Sequence, residues 1–170
     1  MRGMTLLEAI VAVVIFAIII TATYLVLIVG NRSWYSTDVT AEIRQEVVRA
    51  LLKMQIELVQ ARPSRTSIAV GHSANSITFS LPQDRDGDGT VLNSLGQIEW
   101  SDNITYSRDG QNRIIRTVAA NTSVLAKDIS SLLFNRTEDT ILQVDINATK
   151  TSVTKQVLQD TGEITVRMRN

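Results

Sequence analysis

From Ala9 to Gly30 the chain runs AIVAVVIFAIIITATYLVLIVG without a charged side chain. A helix rising about 1.5 Å per residue over such a stretch crosses a hydrocarbon layer of about 30 Å. Its β-branched residues are no obstacle, because lipid offers the backbone no partners and helix is the way to satisfy it internally. Arg32, Trp34 and Tyr35 come next, residue types that suit a membrane–water interface. The period then changes. Val39, Ile43, Val47, Leu51, Met54 and Leu58 recur every three or four positions, the stripe of an amphipathic helix that packs on the domain C-terminal to it. Gly30-Asn31 allows a bend, with Ser33, Ser36 or Thr37 to cap a restart. Arg44, Glu46, Arg49, Lys53 and Glu57 lie mostly off the stripe and read as surface charges whose pairing contributes little. Arg62-Pro63 ends the helix, since proline disfavours helical conformation in the residue before it.

Beyond Pro63 short β-type runs alternate with turn residues. The expected strands are Ser76–Leu81, Ile98–Trp100, Ile104–Ser107, Arg113–Val118, Ile129–Arg136, Ile141–Ala148 and Glu163–Met168. Arg108-Asp109-Gly110 reads as a turn and Glu138-Asp139 as a tight connection. Ile141, Val144 and Ile146 break strict alternation, which allows a bulge or a two-sided strand. Lys150–Gln159, rich in Ser, Thr and Lys, reads as an exposed loop. Sequential strands joined by turns predict an antiparallel meander. The fold class is therefore α+β: a long N-terminal helix, apolar in its first half and amphipathic in its second, packed on an antiparallel sheet.

Composition sharpens this. Lys plus Arg number 17 and Asp plus Glu 17, so no basic footprint for nucleic acid is present. There is no cysteine, which excludes disulfides, thiolate metal sites and thiol catalysis. The part beyond the helix is long enough to bury a modest core of its own.

The N-terminus has three readings. A cleaved secretory signal has an apolar region of about 7–15 residues, shorter than this one. A plain single-pass anchor has no use for Glu8, a carboxylate at the very edge of the span. An acid in such a place is a functional hypothesis that needs a partner. The third reading comes from Arg2-Gly3-Met4-Thr5-Leu6-Leu7-Glu8. This segment resembles the prepilin processing motif: a basic leader ending in Gly, a hydrophobic residue, Thr, two Leu and Glu. The resemblance implies cleavage after Gly3 by a prepilin peptidase and methylation of the new amine on Met4, where the family's usual residue is Phe. It places Glu8 fifth in the mature chain, the assembly carboxylate of the family. In a dry helix bundle a buried carboxylate needs a cation, and a neighbour's N-terminal amine supplies one.

The resemblance further implies a division into leader (1–3), transmembrane helix (4–30), amphipathic continuation (31–62) and strand-rich periplasmic head (63–170). Its partners would be the bilayer of the bacterial inner membrane, other pilins or pseudopilins, the peptidase and an inner-membrane assembly platform. Ser76-Ile77-Thr78-Phe79, Ile104-Thr105-Tyr106-Ser107, Ile114-Ile115-Arg116 and Val124-Leu125-Ala126-Lys127-Asp128-Ile129 with Leu133-Phe134 occur in an order similar to the heads of larger minor pilins and of the J-type minor pseudopilin of type II secretion. Minor pilin heads often carry a disulfide, so the lack of cysteine leans toward the secretion machine. A membrane-anchored periplasmic binding module is the competing reading.

Candidate chemistry outside the N-terminus is sparse. Asp84-Arg85-Asp86-Gly87-Asp88-Gly89-Thr90 resembles the first half of a calcium loop, with Asp84, Asp86, Asp88 and the Thr90 carbonyl as oxygen ligands. The position where a bidentate Glu is expected holds Leu95, and a plain polar loop using Gly and Asp for its turns explains the same residues. His72, the single histidine, sits in a turn-like stretch with no Cys or His to help it. No nucleophile elbow, phosphate loop or dinucleotide fingerprint occurs. The five Asn-x-Ser/Thr triplets reflect composition. Trp34 reads as an interface residue and Trp100 as a core one. The sequence therefore predicts assembly rather than catalysis.

Overall fold

The computed structural model describes residues 5–152 and 155–169; Gly3 and Met4 lie outside the described residues, as does the side chain of Arg32. One helix, α1 (Leu6–Gln60), spans 55 residues without a break. The helix is not interrupted at Gly30-Asn31. Ser36 Oγ and Thr37 Oγ1 instead donate back to the Ser33 carbonyl at 2.9 and 3.0 Å, so these hydroxyls satisfy themselves within the helix rather than capping a restart. The helix stops where proline predicts, with Ala61 as its C-cap ahead of a 3₁₀ turn at Pro63–Arg65.

Among the described residues eight strands come after it: β1 (His72–Ala74), β2 (Ser76–Phe79), β3 (Ile104–Arg108), β4 (Ile114–Val118), β5 (Asn121–Ala126), β6 (Ile129–Arg136), β7 (Ile141–Thr151) and β8 (Val157–Arg167). They form two four-stranded antiparallel sheets, ordered β1-β6-β7-β8 and β2-β3-β4-β5. The expected meander is thus two sheets. The run Ile98–Trp100 makes only isolated bridges, Leu92 to Ile98 and Pro82 to Trp100. Of the expected loop Lys150–Gln159, Lys150-Thr151 and Val157–Gln159 are corrected to paired strand, because β7 and β8 pair continuously from Ile141 with Arg167 to Thr151 with Val157. β7 alternates cleanly from Leu142 through Val144, Ile146 and Ala148, with Ile141 on the opposite face; the bulge lies instead in the β6–β7 pairing, near Ser131.

The core sits between the second half of α1 and the inner faces of both sheets. Ile43, Val47, Ala50, Leu51, Met54 and Leu58 are buried from the helix side, as the stripe predicts. Each large apolar side chain so buried contributes about 1.5–3 kcal/mol. Phe79, Tyr106, Phe134, Leu142 and Ile146 meet them from the sheets. The helix runs mainly along β8, flanked by β5 and β7. Gly162 is the reason it comes so close: a Cβ there would press on Val47 Cγ1 and lie 2.7 Å from Leu51 Cδ1.

Glu57 corrects the reading of the helix charges. It is 6% exposed and faces the sheet. Tyr106 Oη donates to Glu57 Oε2 at 2.6 Å, Arg116 Nε lies 3.1 and 3.0 Å from its two oxygens, and Lys53 Nζ is 3.2 Å away. Desolvation pushes the Glu57 carboxyl up, but the hydrogen bonds from Tyr106, Arg116 and Lys53 outweigh it and hold it below the ordinary carboxylate range. The same burial, with Glu57 opposite, pushes the Tyr106 phenol up. Two further carboxylates fasten the helix: Glu42 to Lys150 Nζ at 2.6 Å and Glu46 to the Lys127 backbone N–H at 3.2 Å.

This seam can be tested at two positions. Gly162→Val should lower stability by about 1–3 kcal/mol through overpacking against α1, read as a fall in melting temperature of the detergent-solubilised chain. Glu57→Ala should cost about 2–4 kcal/mol, because it leaves Arg116 and Tyr106 without their shared acceptor. Since the folded Glu57 carboxyl titrates below its unfolded value, its stabilisation is complete above the unfolded carboxylate range and is lost as pH falls through the lower folded value. An acid titration of wild type and Glu57→Ala should therefore show the difference between them shrinking toward low pH.

Candidate functional site

Glu8 stands at the first turn of α1, and the sequence around it dictates how. Thr5 is the N-cap, in extended conformation, and Glu8 is the third residue of the helix, so the two form a reciprocal capping box. The Thr5 backbone N–H and hydroxyl both donate to Glu8 Oε2, at 2.8 and 3.1 Å, and the Glu8 N–H donates to Thr5 Oγ1 at 3.3 Å. Glu8 makes no ion pair among the described residues. No described residue from Leu6 to Asp38 is buried, so this half of the helix is not covered by its own head. It is one helix long and apolar enough to cross a membrane. The arrangement holds a carboxylate in a fixed direction at the rim of an uncharged, mainly apolar stretch (residues 9–30) and offers it to whatever cation approaches.

The second candidate region is a finger between β2 and β3, residues 82–102. The sequence names Asp84, Asp86, Asp88 and Thr90 as cation ligands. The structure groups a different set: carboxylate oxygens of Asp84, Asp86 and Glu99 lie within 4.8 Å of one another. Glu99 comes from the returning side of the finger, and its spacing from Asp84 carried no signal. Asp88 and Thr90 are turned to each other instead, the Thr90 N–H and hydroxyl both donating to Asp88 Oδ1 at 2.8 Å. Asp84 accepts the N–H groups of Gly87 and Gly89 at 2.7 and 2.9 Å, and these bonds lower its carboxyl. For Asp86 the Asp88 N–H works in the same direction, but desolvation and the charges of Asp88, Glu99 and Asp84 prevail and raise it. These carboxylates thus serve the turns of the finger. Gly87 and Gly89 take φ of +79° and +87°, as such turns require. His72 lies exposed in β1, its Nδ1 3.1 Å from the Val70 carbonyl, with no metal-ligating neighbour among the described residues.

Trp34 is exposed on α1, at 77%. Trp100 is half-buried at the root of the finger, with the guanidinium groups of Arg62 and Arg65 over its ring at 5.7 and 5.1 Å from the centroid. The sequence carried no sign of that stack, because its members lie far apart along the chain.

Comparison with known proteins bears on the first of these regions. Residues 1–24 match the family model described as the prokaryotic N-terminal methylation motif, and the long helix followed by antiparallel sheet suits a prepilin-type protein. No curated protein and no solved structure matches the chain.

Asp84→Ala should loosen the finger without unfolding the head, because it removes the acceptor of two backbone N–H groups on an exposed loop. The melting temperature of the head should stay essentially unchanged, because the bonds lost lie on an exposed loop. Faster amide exchange confined to residues 84–90 would be the measurable sign.

Proposed function

We propose that this chain, prepilin-type in its N-terminal motif and pilin-like in its fold, is a minor subunit of a type II secretion pseudopilus. It waits in the bacterial inner membrane with its head in the periplasm and joins other subunits through α1. Its work is assembly, not catalysis. The observation that carries this reading is the first half of α1: an apolar rod, left unburied by its own head, that presents Glu8 at its rim with no ion pair among the described residues. A neighbouring subunit's N-terminal amine answers that carboxylate when helices bundle, and buried polar pairs of this kind can fix register between helices. Prepilin peptidase, cutting after Gly3, creates the amine on Met4. The cysteine-free head supports the secretion machine over the type IV pilus. In either machine the chain occupies the same place, as a non-major subunit with a broad two-sheet head.

The test is mass spectrometry on the protein gently solubilised from native membranes, read together with a Glu8→Ala variant. The expected N-terminal peptide begins at N-methylated Met4, and the expected companions are other short-leader subunits together with secretion proteins. Pilus proteins in their place would move the chain to the type IV pilus. Glu8→Ala should insert and fold normally yet recover those companions about tenfold less, since a charged pair in a dry bundle is lost. An intact Met1, a cut beyond Tyr24, or unchanged recovery with Glu8→Ala would overturn assembly through the N-terminal helix.

A further inference from the structure

The two sheets end in four edge strands, and three of them are short. β1 has 3 residues, β2 has 4 and β5 has 6. β2 is also covered: the Ser67 N–H donates to the Thr78 carbonyl at 2.9 Å, and the Thr78 N–H donates to Ser67 Oγ at 2.9 Å. The fourth edge is β8, 11 residues long with no strand beyond it.

The phase of its hydrogen bonds is fixed at both ends. The Met168 N–H donates to the Thr140 carbonyl at 2.7 Å, and past the other end of the ladder the Ser152 N–H donates to the Gln156 carbonyl at 2.8 Å. The register between them does not shift, so the even-numbered residues of β8 turn their N–H and C=O groups toward β7. The odd-numbered residues, from Gln159 to Arg167, turn theirs to the open side, where the N–H groups meet no acceptor among the described residues. The same row bonds where it can: just past the strand, the Arg169 N–H donates outward to the Ala61 carbonyl at 3.1 Å. Proteins blunt such edges with proline, lysine, a bulge or an inward-pointing charge. β8 has no proline or lysine, and its pairing with β7 has no bulge. Its inward-facing acid, Asp160 across from the buried Ala148, comes before residues 161–167 and leaves them unguarded.

Alternating N–H and C=O groups along a strand edge are complementary to an extended polypeptide backbone, which repeats acceptors and donors at the same spacing. The side chains beside the edge narrow the partner further. Glu163 lies directly across from Asp145, with no cation between them among the described residues. The two acids share only the Gln143 amide, whose Nε2 is 3.0 Å from Glu163 Oε1 and 3.3 Å from Asp145 Oδ1. Like charges directly opposite one another destabilise a sheet, and a cation added beside Glu163 relieves this. Arg167, exposed on the same face, meets no carboxylate among the described residues.

We propose that the open edge of β8, over residues 161–167, takes an added strand from a partner protein, with a basic side chain across from Glu163 and an acidic one across from Arg167. The added strand runs antiparallel, as every other pairing in this sheet does. In that direction its acid precedes its base with three residues between them. The edge belongs to the head and makes no use of Glu8, so the failure of either proposal leaves the other standing.

The experiment uses the full chain in lipid nanodiscs and the fluorescein-labelled peptide Glu-Val-Thr-Val-Lys-Val-Thr, with binding read by anisotropy and by amide exchange. The peptide should slow exchange at Thr161, Glu163, Thr165 and Arg167 and leave the even-numbered amides, already bonded to β7, as they were. Interchanging its Glu and Lys should weaken binding about tenfold. N-methylation of its central Thr and its Lys, whose amides face β8, should abolish binding, whereas N-methylation of its Val residues should not. Glu163→Lys with Arg167→Glu should reverse the preference between the two peptides at unchanged melting temperature. Thr165→Pro, which removes an outward N–H and spares the β7 ladder, should weaken both. Absence of binding, protection that does not alternate, indifference to N-methylation, or a preference that the double variant does not reverse would overturn the proposal. A concentration-dependent dimer abolished by Thr165→Pro would overturn it in favour of a second copy of the chain at this edge.

Discussion

The seam between the outer half of α1 and β8 is the contact on which the rest of the head depends. Two sheets with a shared inner face need a third element to close them, and among the described residues that element is the second half of α1. Gly162 lets that helix approach until Val47 and Leu51 fill the space a side chain would take. The stripe from Ile43 to Leu58 then covers the core in one continuous run. Apolar burial provides the energy of this contact but not its direction, since a helix with such a stripe can slide or roll by a turn at modest cost.

Glu57 supplies the direction. With Tyr106, Arg116 and Lys53 around it the carboxylate is satisfied in one position only. A shift of one helical turn would take it from Tyr106 and Arg116 and leave it only Lys53 of its own helix, which costs several kcal/mol. Glu42 with Lys150 and Glu46 with the Lys127 N–H repeat the arrangement farther down, at more exposed sites where each bond is weaker. Three acids on one helix face thus pin the head at three heights.

How much of this was legible in the sequence depends on the range of each interaction. The span, the stripe, the proline stop and most strands are written in local periodicity, and so was Glu8, because a lone acid at the edge of an apolar run is conspicuous wherever it occurs. β5 was missed since Asn121-Thr122-Ser123 is polar and the preceding Ala119-Ala120 turn holds neither Gly nor Asn, although Ala119 takes a φ of +51°. The β7–β8 hairpin was misread because its outer half is rich in Ser, Thr and Lys, and only cross-strand pairing makes it sheet. Glu57 read as a surface charge because its partners Tyr106 and Arg116 are about fifty or more residues away. The Asp84–Asp86–Glu99 group and the Trp100 stack failed for the same reason. Residue type signalled acids and an aromatic, but not which of them the fold would gather.

Continuity of α1 joins these two scales. A break in the helix at Gly30 would have let the head swing independently of the apolar half. The unbroken helix instead places Glu57 forty-nine residues from Glu8 along one rod, a separation of roughly 70 Å at about 1.5 Å per residue. Glu57 fixes the rod to its own head, while Glu8 faces outward at the other end. Under the proposed assembly, a neighbour's amine that set the axial position of Glu8 would have that setting carried to the head along the same rod. The height and facing of the finger, and of the arginine stack at its root, would then be determined by a contact made at the far end of the same helix.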